Sequence, residues 1–312
     1  MDAQLLEAFL AVAETGSFSA AAERILITQP AVSKRIAQLE AQLGARLFDR
    51  LGRTVHLTEA GRALLPRAER ILLEMRAARE AIRDLSGRVA GSLRLAISHH
   101  IGLHRLPPVL KTFLRANPGV SPEIAFLDSE VACEGVLRGR YEVGVITLAP
   151  ELPADIRARP VWPDPLAAMA APDHPLAGRA AVAPAELAAH PAVLPGPQTY
   201  TGRLILERFA SLGLPPPATM ATNYLETIRM LAAVGLGWTV LPRAMAAGGL
   251  VVLPCPELEL ERALGYVHHR DRTLSNAARA FLALLDELAE TQRPHNRRHT
   301  SGEREPSGSK GG

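Results

Sequence analysis

Only two of the 312 residues are cysteine, Cys133 and Cys255, and they lie 122 positions apart. That scarcity excludes a disulfide framework and leaves no CxxC pair for a metal or a dithiol centre, so a reducing compartment fits best. Lysine occurs only three times against abundant arginine and alanine, a bias of genomic base composition. Arginine content alone is therefore no sign of phosphate binding. No run of about 18 apolar residues occurs, so no transmembrane helix is read and no membrane partner is expected. The N-terminus opens Met1-Asp2 without a basic patch or apolar core, so no export signal is read and a soluble, cytoplasmic protein is expected. Catalytic motifs are missing too: there is no GxSxG, no glycine-rich phosphate loop and no HExxH, and an enzyme is not expected.

What is present suffices for two or three folded domains, since 47% of residues are hydrophobic and 21% charged. The formal charge is +3 and the isoelectric point about 9.1, a mildly basic balance. It is unevenly spread. Residues 1–60 carry a net −1, 61–90 a net +3, 91–290 a net −2 and 291–312 a net +3. The last segment is polar, glycine- and serine-rich and free of aliphatic side chains, and disorder is expected over 292–312. His295 and His299 there have a metal-like i,i+4 spacing, but nothing holds them on a helix, so neither a metal nor another cofactor is expected.

Leu5, Leu6, Phe9, Leu10 and Val12 form an apolar stripe at helical spacing that ends near Gly16. Ser19 is placed to cap a short second helix, Ala20 to Ile25, whose alanines let another helix approach closely. Beyond a break at Ile27, Thr28 reads as an N-cap with Pro30 in the first turn, and Ala31, Val32, Ile36, Leu39 and Leu43 continue as a buried stripe. Short helix, turn and longer helix is the grammar of a helix-turn-helix. On the third helix Thr28, Gln29, Ser33, Lys34, Arg35 and Gln38 are left outside, side chains suited to base edges and phosphates in a major groove. Taken alone, that set also reads as an ordinary solvated face. The segment Gly52-Arg-Thr-Val-His-Leu-Thr58 alternates like a small β-wing carrying Arg50 and Arg53.

The runs Gly16-Ser-Phe-Ser-Ala-Ala-Ala22, Gln29-Pro-Ala-Val-Ser33, Ile36-Ala-Gln-Leu-Glu40, Leu47-Phe-Asp-Arg50 and Leu57-Thr-Glu-Ala-Gly61 resemble the LysR-type transcriptional regulators at nearly every signature position across residues 2–65. The resemblance implies a winged helix-turn-helix on promoter DNA, with Gln29, Pro30 and Ser33 facing bases and Lys34, Arg35 and Arg53 on phosphates. Ser17, Ser19, Thr28 and Arg50 complete the expected DNA-binding set.

From Leu64 the apolar positions run Leu64, Ala68, Ile71, Met75, Ala78, Ile82 and Leu85, a three-heptad seam suited to a two-helix coiled coil. A helix lying on its own domain would want a wider stripe. Homodimerisation through this seam is expected, and the family places its dimer linker here.

Beyond residue 90 strands and helices alternate, which predicts parallel sheets with ligands at strand C-termini and helix N-termini. Strands are read at 91–98, 124–126, 143–146, 166–170 and 192–194, and helices at 103–114, 131–137, 204–212 and 227–234. The resemblance implies two α/β subdomains like those of type 2 periplasmic binding proteins, with a small effector between them. Expected boundaries are thus 1–58 for the DNA-binding domain, 59–89 for the linker helix and 90–291 for the effector domain. Within the last, 90–161 with 266–291 forms one subdomain and 162–265 the other, the chain crossing near Val161 and Gly265.

Topology nominates Ser98, His99, His100, Thr147, Gln198, Tyr200, Thr201, Arg203 and Asn223 as effector ligands. A carboxylate would suit Thr201, Arg203 and the histidine pair. Ser98 and Thr201 are equally readable as plain N-caps, and a one-residue ambiguity over 121–130 keeps Ser129 out of the set. Two other classes compete. A solute-binding protein would carry an export signal instead of a helix-turn-helix, and a redox sensor would rely on Cys133 and Cys255. The expectation is an α/β effector-responsive regulator, dimeric or a dimer of dimers, that binds an organic or amino-acid-like anion and so alters DNA bending, with RNA polymerase a further candidate partner.

Overall fold

Three helices built on those short apolar stripes open the chain: α1 (Ala3–Thr15), α2 (Phe18–Arg24) and α3 (Gln29–Leu43). The computed structural model describes residues 2–51, 54–84, 87–214 and 218–291. Arg53, Leu85 and the 292–312 segment, for which disorder is expected, lie outside the described residues, as does the Arg50 side chain. Helix α1 stops at Gly16, whose φ of 63° is the left-handed conformation that glycine adopts without cost. Helix α2 is capped by Ser17, whose hydroxyl accepts from the Ala20 N–H, and not by Ser19 as expected. The cap falls one residue before Phe18, and Phe18 must turn inward onto Phe48. Leu6, Phe9, Val12, Val32, Ile36 and Leu39 fill the core of this head. A hairpin of β1 (Phe48–Leu51) and β2 (Thr54–Leu57) forms the wing, held to α3 by Glu40, whose carboxylate accepts from the Leu47 N–H at 2.7 Å.

The linker α4 (Glu59–Asp84) is a single helix of 26 residues, about 39 Å at about 1.5 Å per residue. Its seam is divided. Leu64, Ala68 and Ile71 lean on the head's own core beside Leu72, with Ala68 fully buried there. Among the described seam residues, Met75, Ala78 and Ile82 remain exposed. The uniform coiled-coil stripe expected from spacing is thus half intramolecular, because α1 offers the first turns of α4 an apolar face closer than any partner chain. Glu69 of α4 also pairs with Arg140 of the following domain at 3.4 Å.

That domain begins with β3 (Gly91–Ser98), α5 (His99–His104), α6 (Leu106–Ala116), β4 (Val120–Leu127), α7 (Ser129–Leu137) and β5 (Val143–Leu148). The single helix expected over 103–114 is two, α5 and α6, because Pro107 and Pro108 favour a new first turn over continuation of the old one. There follow β6 (Ile156–Ala170), α8 (Pro184–Ala188), β7 (Ala192–Leu194), α9 (Tyr200–Ser211), β8 (Ala218–Ala221), α10 (Leu225–Ala233), β9 (Thr239–Pro242), β10 (Val251–Val252), β11 (Leu260–His269) and α11 (Asn276–Thr291). The main sheet runs β10-β6-β11-β5-β3-β4, with β9 also paired to β6.

Among the strands of the described residues, β4-β3-β5 and the small β7-β8 pair are parallel. The all-parallel expectation fails because β6 and β11 return antiparallel. These two long strands run together through both halves of the domain, pairing from Ile156 with His269 to Leu166 with Leu260. Their register slips between Leu264 and Gly265, opposite Trp162 and Pro160. One core lies on each side: Leu95, Ile97, Phe113, Val145 and Phe281 in subdomain I, and Leu194, Ile205, Phe209, Trp238 and Val240 in subdomain II. Among the described residues no helix is long and apolar enough to cross a membrane.

Candidate functional site

The two sites differ in how they are made. The first is the outer face of α3. Thr28, Gln29, Pro30 and Lys34 are exposed, and Ser33 is half-buried beside them. Thr28 stands at the N-cap without a side-chain cap bond, so its hydroxyl is not committed to the helix. The Gln29 amide donates to Ser33 Oγ at 3.0 Å, which orients both side chains on one face. Arg35 turns back and donates to Gln4 Oε1 of α1 at 2.9 Å, so it ties the helix down as well as carrying charge. Ser17 is spent as a cap, and Ser19 is exposed in the first turn of α2. The turn before α3 holds Leu26 at φ 55° with 91% of its surface exposed.

The second site is the cleft between the subdomains. Ser98, His99, His100, Thr147, Tyr200, Thr201 and Asn223 all line it. Two expected ligands do not. Arg203 is exposed and donates to the Gln198 carbonyl at 2.8 Å, and Gln198 stands behind the wall, donating to Asn223 Oδ1 at 3.1 Å. The reason is helical phase: α9 begins at Tyr200, four residues earlier than its apolar pattern suggests, so Thr201 faces in and Arg203 out. Thr199 caps α9, accepting from the Gly202 N–H at 3.0 Å, and a side chain on Gly202 would collide with the Gly196 carbonyl.

The charged group that sequence reasoning missed is Arg262. On β11 it sits opposite Asp164 of β6, and both are buried. Its Nε donates to Asp164 Oδ2 at 2.7 Å and its Nη1 to Thr201 Oγ1 at 2.6 Å, while Nη2 has no partner. Ser98 Oγ and His100 Nδ1 are likewise buried and unpartnered. Burial first, then Arg262, pulls His100 down to about 3, so its imidazole is neutral at neutral pH and offers an anion no charge. His99 stacks its ring against Phe126 at 5.9 Å and meets Tyr224 at 4.8 Å. Asp128, Ser129 and Glu130 complete the floor. Asn223 donates to Asp128 at 2.7 Å, the Tyr200 N–H donates to Glu130, and Ser129 Oγ accepts from the Thr147 N–H. The first two of these bonds join the subdomains. A larger cavity of about 570 Å³ lies between α4 and subdomain I, lined by Pro66, Glu69, Arg138 and Arg272, and it has no unpartnered buried donor.

Neither cysteine fits a sensor. Both are free and buried; burial raises the Cys133 thiol and pushes that of Cys255 up to about 11, so neither is a ready thiolate.

A helix-turn-helix with a polar outer face, joined by a long helix to a two-lobed cleft domain, defines a ligand-responsive DNA-binding regulator. Residues 3–62 match the bacterial regulatory helix-turn-helix proteins of the lysR family, and residues 86–290 match the LysR substrate binding domain. The chain belongs to the LysR family of transcriptional regulators. The HTH-type regulator YeiE of Escherichia coli K12, described as uncharacterized, is 32% identical over 290 residues, covering 90% of this chain and 96% of that protein. A regulator from the ibpB-leuC intergenic region of Azotobacter vinelandii is 69% identical over 108 residues, 35% of this chain and 75% of its own length. In fold the chain is similar to full-length CbnR solved with its target DNA, at a TM-score of 0.66 and 23% identity over 92% of this chain and all of that one. The first two are named as HTH-type transcriptional regulators and CbnR as a LysR family transcriptional regulator.

Proposed function

We propose that the cleft takes a compact anion, an inorganic oxyanion or a short carboxylate, and that Arg262 anchors it. One observation carries this reading: a buried guanidinium with Nε and Nη1 held by Asp164 and Thr201 and Nη2 left over. An unmet buried donor costs about 1–3 kcal/mol, and more when charged. A bound anion removes that deficit through charge-assisted bonds, with Ser98 Oγ as second donor. The cavity volume of about 60 Å³ holds roughly four to six waters at about 10–15 Å³ each, so an occupant of the closed cleft is small. A bulkier amino-acid-like ligand would have to part the Asn223–Asp128 and Tyr200–Glu130 bonds.

Anion binding then biases the relative orientation of the subdomains, and the Glu69–Arg140 contact passes that bias to α4 and the DNA heads. Promoter bending follows head spacing. The free stripe Met75, Ala78 and Ile82 supports a homodimer, with a dimer of dimers, RNA polymerase contact and a cytoplasmic location extending the same reading.

Sodium sulfate and sodium acetate, at ionic strength matched with chloride, are expected to raise the Tm of the full chain. The gain should vanish in Arg262→Gln and shrink in Ser98→Ala. A gain that persists undiminished in both variants overturns the assignment.

A further inference from the structure

Beside the cleft, and sharing His100 with its lining, is a group that the anion reading does not use. We propose that His100, His104 and Glu226 bind a divalent transition-metal ion that fastens subdomain I to subdomain II. His100 and His104 stand four residues apart and so share one face of α5, their rings 4.9 Å apart. Glu226 comes from the first turn of α10, in the other subdomain. One donor atom from each of the three lies within 4.8 Å of the others, and His104 Nε2 already meets Glu226 Oε1 at 2.5 Å. Metal–nitrogen and metal–oxygen bonds of about 2.0–2.2 Å need tetrahedral donors about 3.3 Å apart, so small side-chain shifts suffice.

Three features favour an ion over a simple ion pair. His100 Nδ1 is buried without any hydrogen-bond partner, so the ring is not tied by that nitrogen to another protein group. Glu226 Oε2 accepts from Arg229 Nε at 3.2 Å, an outer contact of the kind that fixes a ligating carboxylate. A cavity of about 310 Å³ opens beside the group, room for the ion's remaining water ligands. Arg105, Arg229 and Arg262 stand near, so hard cations held by charge alone are disfavoured. Two imidazoles with one carboxylate select instead for ions such as Zn²⁺ or Co²⁺. The site does not depend on the anion reading, since it needs neither Arg262 Nη2 nor Ser98.

The test uses full-length protein carrying His295→Ala and His299→Ala, which removes the other i,i+4 histidine pair, titrated with Co²⁺, Zn²⁺ and Mg²⁺. One Co²⁺ per chain is expected to bind, with ligand-field absorption and two paramagnetically shifted imidazole N–H signals in the parent itself. His104→Ala and Glu226→Gln should each weaken Co²⁺ and Zn²⁺ binding about ten-fold or more. Zn²⁺ should raise the Tm of the parent and of neither variant, and Mg²⁺ should raise none. Absence of Co²⁺ binding, absence of shifted imidazole signals, or affinity unchanged in both variants overturns the proposal.

Discussion

The DNA-binding head and the ligand cleft do comparable work with opposite materials. The head carries its candidate DNA contacts on side chains that stand in water on one continuous helix: Thr28, Gln29 and Lys34 are exposed and take no part in the core. The cleft carries its candidate ligand contacts on groups buried between two lobes. Arg262 is 5% exposed and Asp164 1%. An exposed polar group is already satisfied by water and is free to be exchanged for a DNA contact. A buried charge must be balanced by protein, so the cleft's function and its stability share the same residues.

The comparison breaks most visibly at Arg262. Arg262→Met leaves the Asp164 carboxylate buried with only Arg105 near it, at 4.0 Å. A loss of about 3–5 kcal/mol is expected from urea unfolding at neutral pH. A loss below about 1 kcal/mol would show the pair to be dispensable and the contrast with the head empty.

On the head the same size of functional effect should leave stability alone. Gln29→Ala is expected to weaken cognate binding by about 1–3 kcal/mol while sparing random duplex. Lys34→Ala should weaken both alike and lower the salt slope by about 1. Both variants should unfold within about 0.5 kcal/mol of the parent. Equal losses on cognate and random DNA for the two would remove the division of roles.

The smallest effect sharpens the comparison from the other side. Leu26 holds a left-handed conformation that costs a leucine about 1–2 kcal/mol, and its side chain packs on almost nothing. Leu26→Gly relieves that strain but adds about 0.5–1 kcal/mol of unfolded-chain entropy. A net gain of about 0.5–1 kcal/mol in unfolding free energy is expected; a destabilised variant would mean that Leu26 makes contacts in solution that stabilise the turn.

Legibility followed the same division. The head's stripes, Gly16 and the polar face of α3 all lie within one short run, so periodicity and capping chemistry reveal them together. The misplaced cap at Ser19 is a choice between two serines, decided by the inward packing of Phe18. Around the cleft, strand ends and helix starts are where Ser98, His100, Thr147 and Asn223 are legible, and all four line it. Arg203 was a wrong choice because the start of α9 was read four residues late. Pro107 and Pro108 carried a signal for the α5–α6 break that went unused, and His104 was legible as an i+4 partner of His100.

Arg262 had no local signal at all. It lies in Glu257-Leu-Glu-Leu-Glu-Arg-Ala-Leu264, an alternation that reads as a solvated strand edge. Local spacing by itself determined the helices of the head, the polar outer face of α3 and the alternation of strands and helices beyond residue 90, because those depend on residues a few positions apart. Only the tertiary structure decided which arginine is buried and which half of the α4 seam stays open. It alone brought Glu226 beside two histidines more than a hundred positions away. Such pairings are set by which distant segments exclude water together, and that is a property of the packed chain, not of any window along it.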